Sequence, residues 1–274
     1  MKNTGILFFL IMILLSCEDV IEVDVPSSEP RLNVDAYLNL FTRETPIRLE
    51  GGVRLTLSAN FFEDEIPLVE NAVVFITDLT SGVNYPFTYT GQDGLYLPQN
   101  PEDFTDLDTV YELNITYEDE IYIANAPFTP VAPISKVTQG TRTRFDEGEI
   151  EVIVEFTDDG TRDDYYLYDF GFDQFGTLED RFFQGKEFRG SSFYGEEDVV
   201  PGDTITIKAY GIDEQYFNYF ELILEQVEES GPFATLPSTT RGNIINTTDF
   251  DNFALGYFLI SEADQKQLII EDLP

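Results

Sequence analysis

The chain contains no histidine and no tryptophan, one cysteine (Cys17) and two methionines (Met1 and Met12). Zinc, copper, haem and iron–sulfur sites are built from imidazole, thiolate and thioether ligands, so none is expected here. A histidine-based triad and a histidine-activated cysteine are excluded on the same ground. Indole platforms of the kind that stack on sugars are absent too. Basic residues are also scarce, 15 against 52 acidic ones, for a formal charge of −37. Nucleic acid and anionic lipid headgroups are poor partners for such a surface, because binding them depends on basic neutralisation. Carboxylate and carbonyl oxygens remain, which leaves Ca²⁺ or Mg²⁺ as the one metal class open to the chain. Acids are plentiful, yet no two are marked as the partnered carboxylates of a glycoside hydrolase. The expectation is a non-enzymatic protein without a cofactor.

Long apolar runs are missing as well, except at the start. Ile6 to Leu15 is uninterrupted and comes after Lys2. Ten helical residues reach about 15 Å, half of a bilayer core, which fits a signal-peptide core and not a membrane span. The run ends Leu14-Leu15-Ser16-Cys17, which resembles a bacterial lipobox, with Cys17 as the acylated residue. Residues 1–16 are therefore read as a lipoprotein signal peptide and Cys17 as the membrane anchor, stable when several acyl chains are attached. Glu18-Asp19 come at once after it, and acids at this position resemble the export tag that carries lipoproteins to the outer-membrane surface. Residues 17–30, with their serines and prolines, read as a tether.

Beyond the tether the pattern is mainly β. "RLNVDAYLNL" alternates through Leu32, Val34, Ala36, Leu38 and Leu40, and "GGVRLTLSANFF" repeats the pattern. Turn signals at Ser81-Gly82, Asp93-Gly94 and Glu118-Asp119 separate further short strands. Tyr111, Leu113, Ile115 and Tyr117 share one hairpin face. The expectation is two β-sandwich-like (immunoglobulin- or transthyretin-like) domains, 31–128 and 129–274, joined at the proline-rich "PFTPVAPIS". The run Ala72 to Phe75, with the turns after it, resembles the transthyretin-like or carboxypeptidase-regulatory-like module of surface proteins. One amphipathic helix is predicted over 213–229. Asp213 is its N-cap, and Tyr216, Phe217, Phe220, Ile223, Leu224 and Val227 form its apolar stripe. Gly231 and Pro232 stop it.

Two clusters invite a functional reading. Asp158, Asp159, Asp163 and Asp164 crowd seven residues around Gly160, a candidate Ca²⁺ loop that matches no EF-hand spacing and contains the competing Arg162. Residues 165–194 hold eleven aromatic rings. Of these, Tyr165, Tyr166, Tyr168, Phe193 and Tyr194 are the candidates for an outward ligand platform, against the alternative of core packing.

The C-terminal third carries Gly231-Pro232-Phe233, Gly242-Asn243-Ile244 and Leu255-Gly256-Tyr257-Phe258. With the "CEDVIEVDVPSSEPRLNVDAYL" opening, "ENAVVFITDLTSG" and "YELNITYEDEIYIANAPFTPVAPI", these resemble the lipoprotein family known as domain of unknown function 4249. The resemblance covers nearly the whole chain after Cys17. It implies a Bacteroidetes outer-membrane lipoprotein, lipid-anchored and facing the cell surface. Its partner would be a TonB-dependent nutrient receptor, which it would serve as a substrate-binding or capping subunit. A structural or adhesive surface protein is the alternative. The family defines no catalytic residues, and the motif residues Gly231, Pro232, Phe233, Gly242, Asn243, Gly256, Tyr257 and Phe258 read as backbone and packing necessities.

Overall fold

The computed structural model describes residues 29–59, 65–104, 106, 108–145, 148–195, 197–228 (the last two as backbone only) and 240–272. The signal peptide, Cys17, most of the tether, and Gly231, Pro232 and Phe233 lie outside the described residues.

The period-2 alternation of the first strand decides the first core. In β1 (Leu32–Phe41), Val34, Ala36, Leu38 and Leu40 are buried, and Asp35 and Tyr37 point to the other face. The chain continues through β2 (Arg48–Leu57), β3 (Val73–Asp78), β4 (Asn84–Tyr89), β5 (Leu95–Pro98), β6 (Val110–Tyr117) and β7 (Glu120–Thr129), with β2 pairing β5 and β3 pairing β6. Glu118 and Asp119, both at positive φ (47° and 66°), make the tight β6–β7 turn whose twist suits a hairpin. After β7 come β8 (Ile134–Gln139), β9 (Ile150–Thr157), β10 (Tyr165–Asp169), β11 (Phe175–Glu179), β12 (Glu187–Tyr194) and β13 (Thr204–Ile212). The helix α1 (Glu214–Glu228) and strands β14 (Ile245–Asn246) and β15 (Leu255–Ile269) complete the chain.

The two-sandwich expectation does not hold. β15 pairs in parallel with β1 over Leu255–Glu262 and in parallel with β7 at Ile260 and Ser261. Together with the antiparallel ladders from β1 to β7 this closes an eight-stranded barrel in the order β15-β1-β2-β5-β4-β3-β6-β7. Closure removes the unpaired edges that an open sheet would leave on β1 and β7. The interior is packed with side chains, among them Leu38, Val53, Ile76, Leu113, Phe128 and Phe258, as expected for a barrel of this size. Past Glu262 the same strand β15 leaves the barrel and pairs with β13, which pairs with β10 and then β11. A separate three-stranded sheet, β12-β9-β8, packs against this extension through a second core that includes Val152, Phe156, Tyr166, Tyr168 and Ile207. Residues expected to belong to the second domain thus complete the first.

The proline-rich connector also differs from a loose linker. Val131 and Ala132 are buried, and their segment is tied to β15: Val131 N–H donates to Glu262 at 3.0 Å, and Ile134 N–H to Asp264 at 2.7 Å. The helix begins one residue later than predicted. Asp213 caps it, accepting the Tyr216 N–H at 2.7 Å.

Candidate functional site

The outward face of β1, opposite the barrel core, carries Asp35, Tyr37 and Asn39. Across the β1–β2 ladder Asn39 stands beside Glu50, and across the β1–β15 ladder Tyr37 stands beside Leu259. The extension sheet brings Leu167, Asp169, Phe175 and Tyr210 to the same place, and α1 lays Tyr216 and Phe220 over it. The result is a groove of about 320 Å³ between barrel wall, extension sheet and helix. Tyr37 can lie flat here because Gly51 sits diagonally across the ladder from it. A Cβ at Gly51 would sit 2.3 Å from the ring, and φ there is +94°.

Rings line the groove in contact with one another. Tyr216 stacks on Phe220 at 5.8 Å, and Phe175 meets Phe220 edge-on at 6.0 Å. Beneath the helix, Tyr216 and Tyr219 both pack on Tyr257, at 4.9 Å each. All three charged residues of the lining are acids: Asp35, Glu50 and Asp169. Burial would raise the Glu50 carboxyl, but Lys208, 2.8 Å away, and Arg48 outweigh it and hold the carboxyl below its usual range. Asp35 shifts the other way. It stands at the mouth, and partial burial raises its carboxyl against the opposing pull of Arg54. Burial together with Asp35 and Glu50 raises the Tyr37 hydroxyl, and burial with Glu50 raises that of Tyr210. Asn39 is 7% exposed, and its side-chain oxygen Oδ1 has no hydrogen-bond partner. Ser261, its neighbour on β15, is fully buried with its Oγ likewise unpartnered. Buried polar atoms without partners are rare and costly, and here two adjoin across the β1–β15 ladder, of which Asn39 lines the groove.

The expected aromatic platform lies elsewhere. Tyr166, Tyr168 and Tyr194 are fully buried in the second core and cannot meet a ligand at the surface. Phe156 explains the inversion, gathering Tyr166, Tyr168, Phe183 and Phe188 within 6 Å. Tyr165 packs on Phe217 of α1 at 5.2 Å, and Phe193 is half-buried on β12. Of the candidate stretch, only Leu167, Asp169 and Phe175 reach the groove.

The four candidate Ca²⁺ aspartates are drawn into other work. Asp158 accepts the Tyr166 hydroxyl at 2.6 Å and the Gly185 N–H at 2.7 Å. Asp164 accepts Arg162 at 2.6 Å and shares the Tyr166 hydroxyl at 3.1 Å. Asp159 closes its own turn on Thr161, and Asp163 accepts from Gln184. Among the described residues no group of three or more acids is disposed to hold a metal.

A fifth aspartate, Asp180, joins them at 4% exposure and accepts the Asp164 N–H at 2.9 Å. Burial, then Asp158 and Asp163, raises its carboxyl above the usual 3.8, opposed by that N–H. A carboxyl raised in the folded state costs stability above its folded pKa, and the cost disappears as pH falls below the unfolded value. Asp180→Asn keeps an acceptor for Asp164 and removes the charge. It is expected to raise the melting temperature at neutral pH, with the gain fading to nothing near pH 3.8. Thermal unfolding of both chains across that range checks it. A gain that persists at low pH would assign the effect to packing instead.

Of the motif residues of the C-terminal third, the described ones, Gly242, Asn243, Gly256, Tyr257 and Phe258, serve the barrel seam. Asn243 offers its side-chain amide as a strand would: Oδ1 accepts the Phe258 N–H at 2.8 Å, and Nδ2 donates to the carbonyls of Phe258 at 2.9 Å and Asn125 at 3.3 Å. It thereby bridges β15 and β7 next to their two-residue pairing. Phe258 fills the barrel core, and Tyr257 carries the helix on the opposite face. Gly242 and Gly256 touch backbone to backbone.

The sequence profile of a domain of unknown function (DUF4249) matches residues 18–267. No curated protein matches the chain at a significant level. Among solved structures, the chicken interferon gamma receptor alpha chain matches at 14% identity, covering 68% of this chain and 89% of that chain. The TM-score of that match is 0.21, too low to carry an argument.

Proposed function

The chain belongs to the DUF4249 family, and from that premise we propose that it is a non-enzymatic, lipid-anchored binding protein of the outer-membrane surface. In this reading Cys17 holds it to the membrane and residues 17–30 lift the folded body away. The groove beneath α1 captures a ligand for a TonB-dependent nutrient receptor. The observation that carries the binding role is the groove itself, an aromatic slot with an unpartnered amide oxygen on its floor. Small-molecule sites are of this kind, mostly apolar walls with a few polar groups that fix orientation. The anchoring role rests on the apolar run that ends in Leu14-Leu15-Ser16-Cys17.

Two measurements bear on it. Cys17→Ala is expected to abolish incorporation of radiolabelled fatty acid into the protein, read by autoradiography of the immunoprecipitated chain. A variant that still incorporates the label, or a wild-type chain that never does, would remove the anchor from the proposal. The second is a gentle-detergent pull-down of the tagged protein from native membranes, with partners identified by mass spectrometry. A stoichiometric TonB-dependent receptor is the expected partner. A clean preparation without one would favour a structural or adhesive surface role.

A further inference from the structure

We propose that the groove beneath α1 selects an organic ammonium, that is, a protonated amine carried on a compact apolar body. The inference rests on the groove being the ligand site, and it does not depend on the receptor. Three features of the lining converge on this chemistry.

The first is charge. Asp35, Glu50 and Asp169 border the groove, with no basic residue among its lining. Lys208 and Arg48 approach Glu50 from outside and offset one of these charges. Asp35 makes no ion pair with either, and the nearest cation acting on it is Arg54. Asp169 stands beside Lys208 across the β10–β13 ladder, so Asp35, opposed by Arg54 alone, is the acid that most disfavours an anionic ligand.

The second is the walls. Tyr37, Phe175, Tyr210, Tyr216 and Phe220 supply five rings. Ring faces carry partial negative charge and attract a cation within about 6 Å, most strongly where water is excluded. Rings and carboxylates at one site favour positive charge together, while Leu167 and Leu259 accept an apolar body.

The third is the floor. Asn39 Oδ1 is an acceptor without a donor. An ammonium offers three N–H donors and no acceptor, so it complements the carboxylates directly, and this oxygen, which lies sealed beneath the lining, once the amide turns to face the groove. A neutral polyol would satisfy the oxygen but gain little from the charge. The acids alone would not define a site. The unpartnered amide, more than nine-tenths buried, is the independent observation.

The test uses detergent-solubilised full-length protein and three isosteric probes: cyclohexylammonium, cyclohexanol and cyclohexanecarboxylate. Binding is read by calorimetry and by tyrosine emission, which the absence of tryptophan leaves unmasked. Cyclohexylammonium is expected to bind about tenfold or more tighter than cyclohexanol, with the carboxylate weakest. Asp35→Asn, an isosteric change at the mouth, is expected to weaken the ammonium about tenfold and leave the alcohol unchanged. Tyr216→Leu is expected to weaken both. Equal affinity for ammonium and alcohol, indifference of the ammonium to Asp35→Asn, or binding of none of the three would each overturn the proposal. A receptor found or missed in the pull-down changes none of these outcomes, so the two readings fail separately.

Discussion

Gly242→Ala is expected to destabilise the protein by about 4 kcal/mol, a large share of the stability usual for a folded chain. A Cβ at Gly242 would sit 1.7 Å from the Gly256 carbonyl oxygen and 2.7 Å from its carbon. Both are backbone atoms, so no rotamer change relieves the overlap. The segment would have to move outward, and with it the Asn243 amide that bridges β7 and β15. Gly256→Ala meets the same difficulty from the other side, since its Cβ would lie 2.0 Å from the Val34 carbonyl of β1 at a φ of +92°. The control is Gly82→Ala. Its φ is +72° with nothing within 4 Å, so it carries the conformational cost alone, about 1 kcal/mol. Urea unfolding monitored by far-UV circular dichroism separates the three. If Gly242→Ala lies within about 1 kcal/mol of Gly82→Ala, the segment does not rest on β15 as described and the closed seam is wrong.

These two glycines also mark the limit of what the sequence disclosed. Local patterns were legible. The alternation of β1 places Val34, Ala36 and Leu38 inside, the positive-φ residues Asp93-Gly94 and Glu118-Asp119 fall at turns, and Asp213 caps the helix. Each depends on neighbours a few residues apart, where periodicity and turn chemistry act. Barrel closure was not legible. It joins Asn33 to Leu255 in parallel, across more than two hundred residues, with no turn to announce it. A parallel pair leaves only near-continuous apolar runs as its trace, and "LGYFLIS" reads equally as one strand of a sandwich.

The groove was hidden for a related reason. Its residues come from β1, β2, β10, β11, β13, β15 and α1, and no stretch of chain holds more than a few of them. A local excess of rings drew attention to 165–194 instead, where Phe156 pulls Tyr166 and Tyr168 into the core. One signal did point to the groove. Gly51-Gly52 interrupts the alternation of β2, and glycine inside a strand marks close approach of another group, here the Tyr37 ring.

Glu262→Ala is expected to lower stability by about 3 kcal/mol and to loosen both cores together. Glu262 is 8% exposed, at the point where β15 passes from β1 to β13. Its carboxylate accepts the Thr42 hydroxyl at 2.6 Å and the Val131 N–H at 3.0 Å, and pairs with Arg43 at 3.3 Å. One side chain thus fastens the end of β1, the connector after β7 and the shared strand. Alanine leaves the Val131 N–H buried without an acceptor, which is the larger part of the loss. Arg43 is 40% exposed and rehydrates. Glu262→Gln retains an acceptor and sacrifices the charge, so about 1 kcal/mol is expected. Because β15 is one uninterrupted strand through both cores, a weakened junction should be felt on each side of it. Amide hydrogen exchange at Val34 and Leu38 in the barrel, and at Val152 and Val154 in the second core, reads this directly. Equal loss of protection at the two pairs is the expected result. Loss confined to the second core would mean that the barrel holds its own part of β15, and that the extension folds onto it as a separate unit.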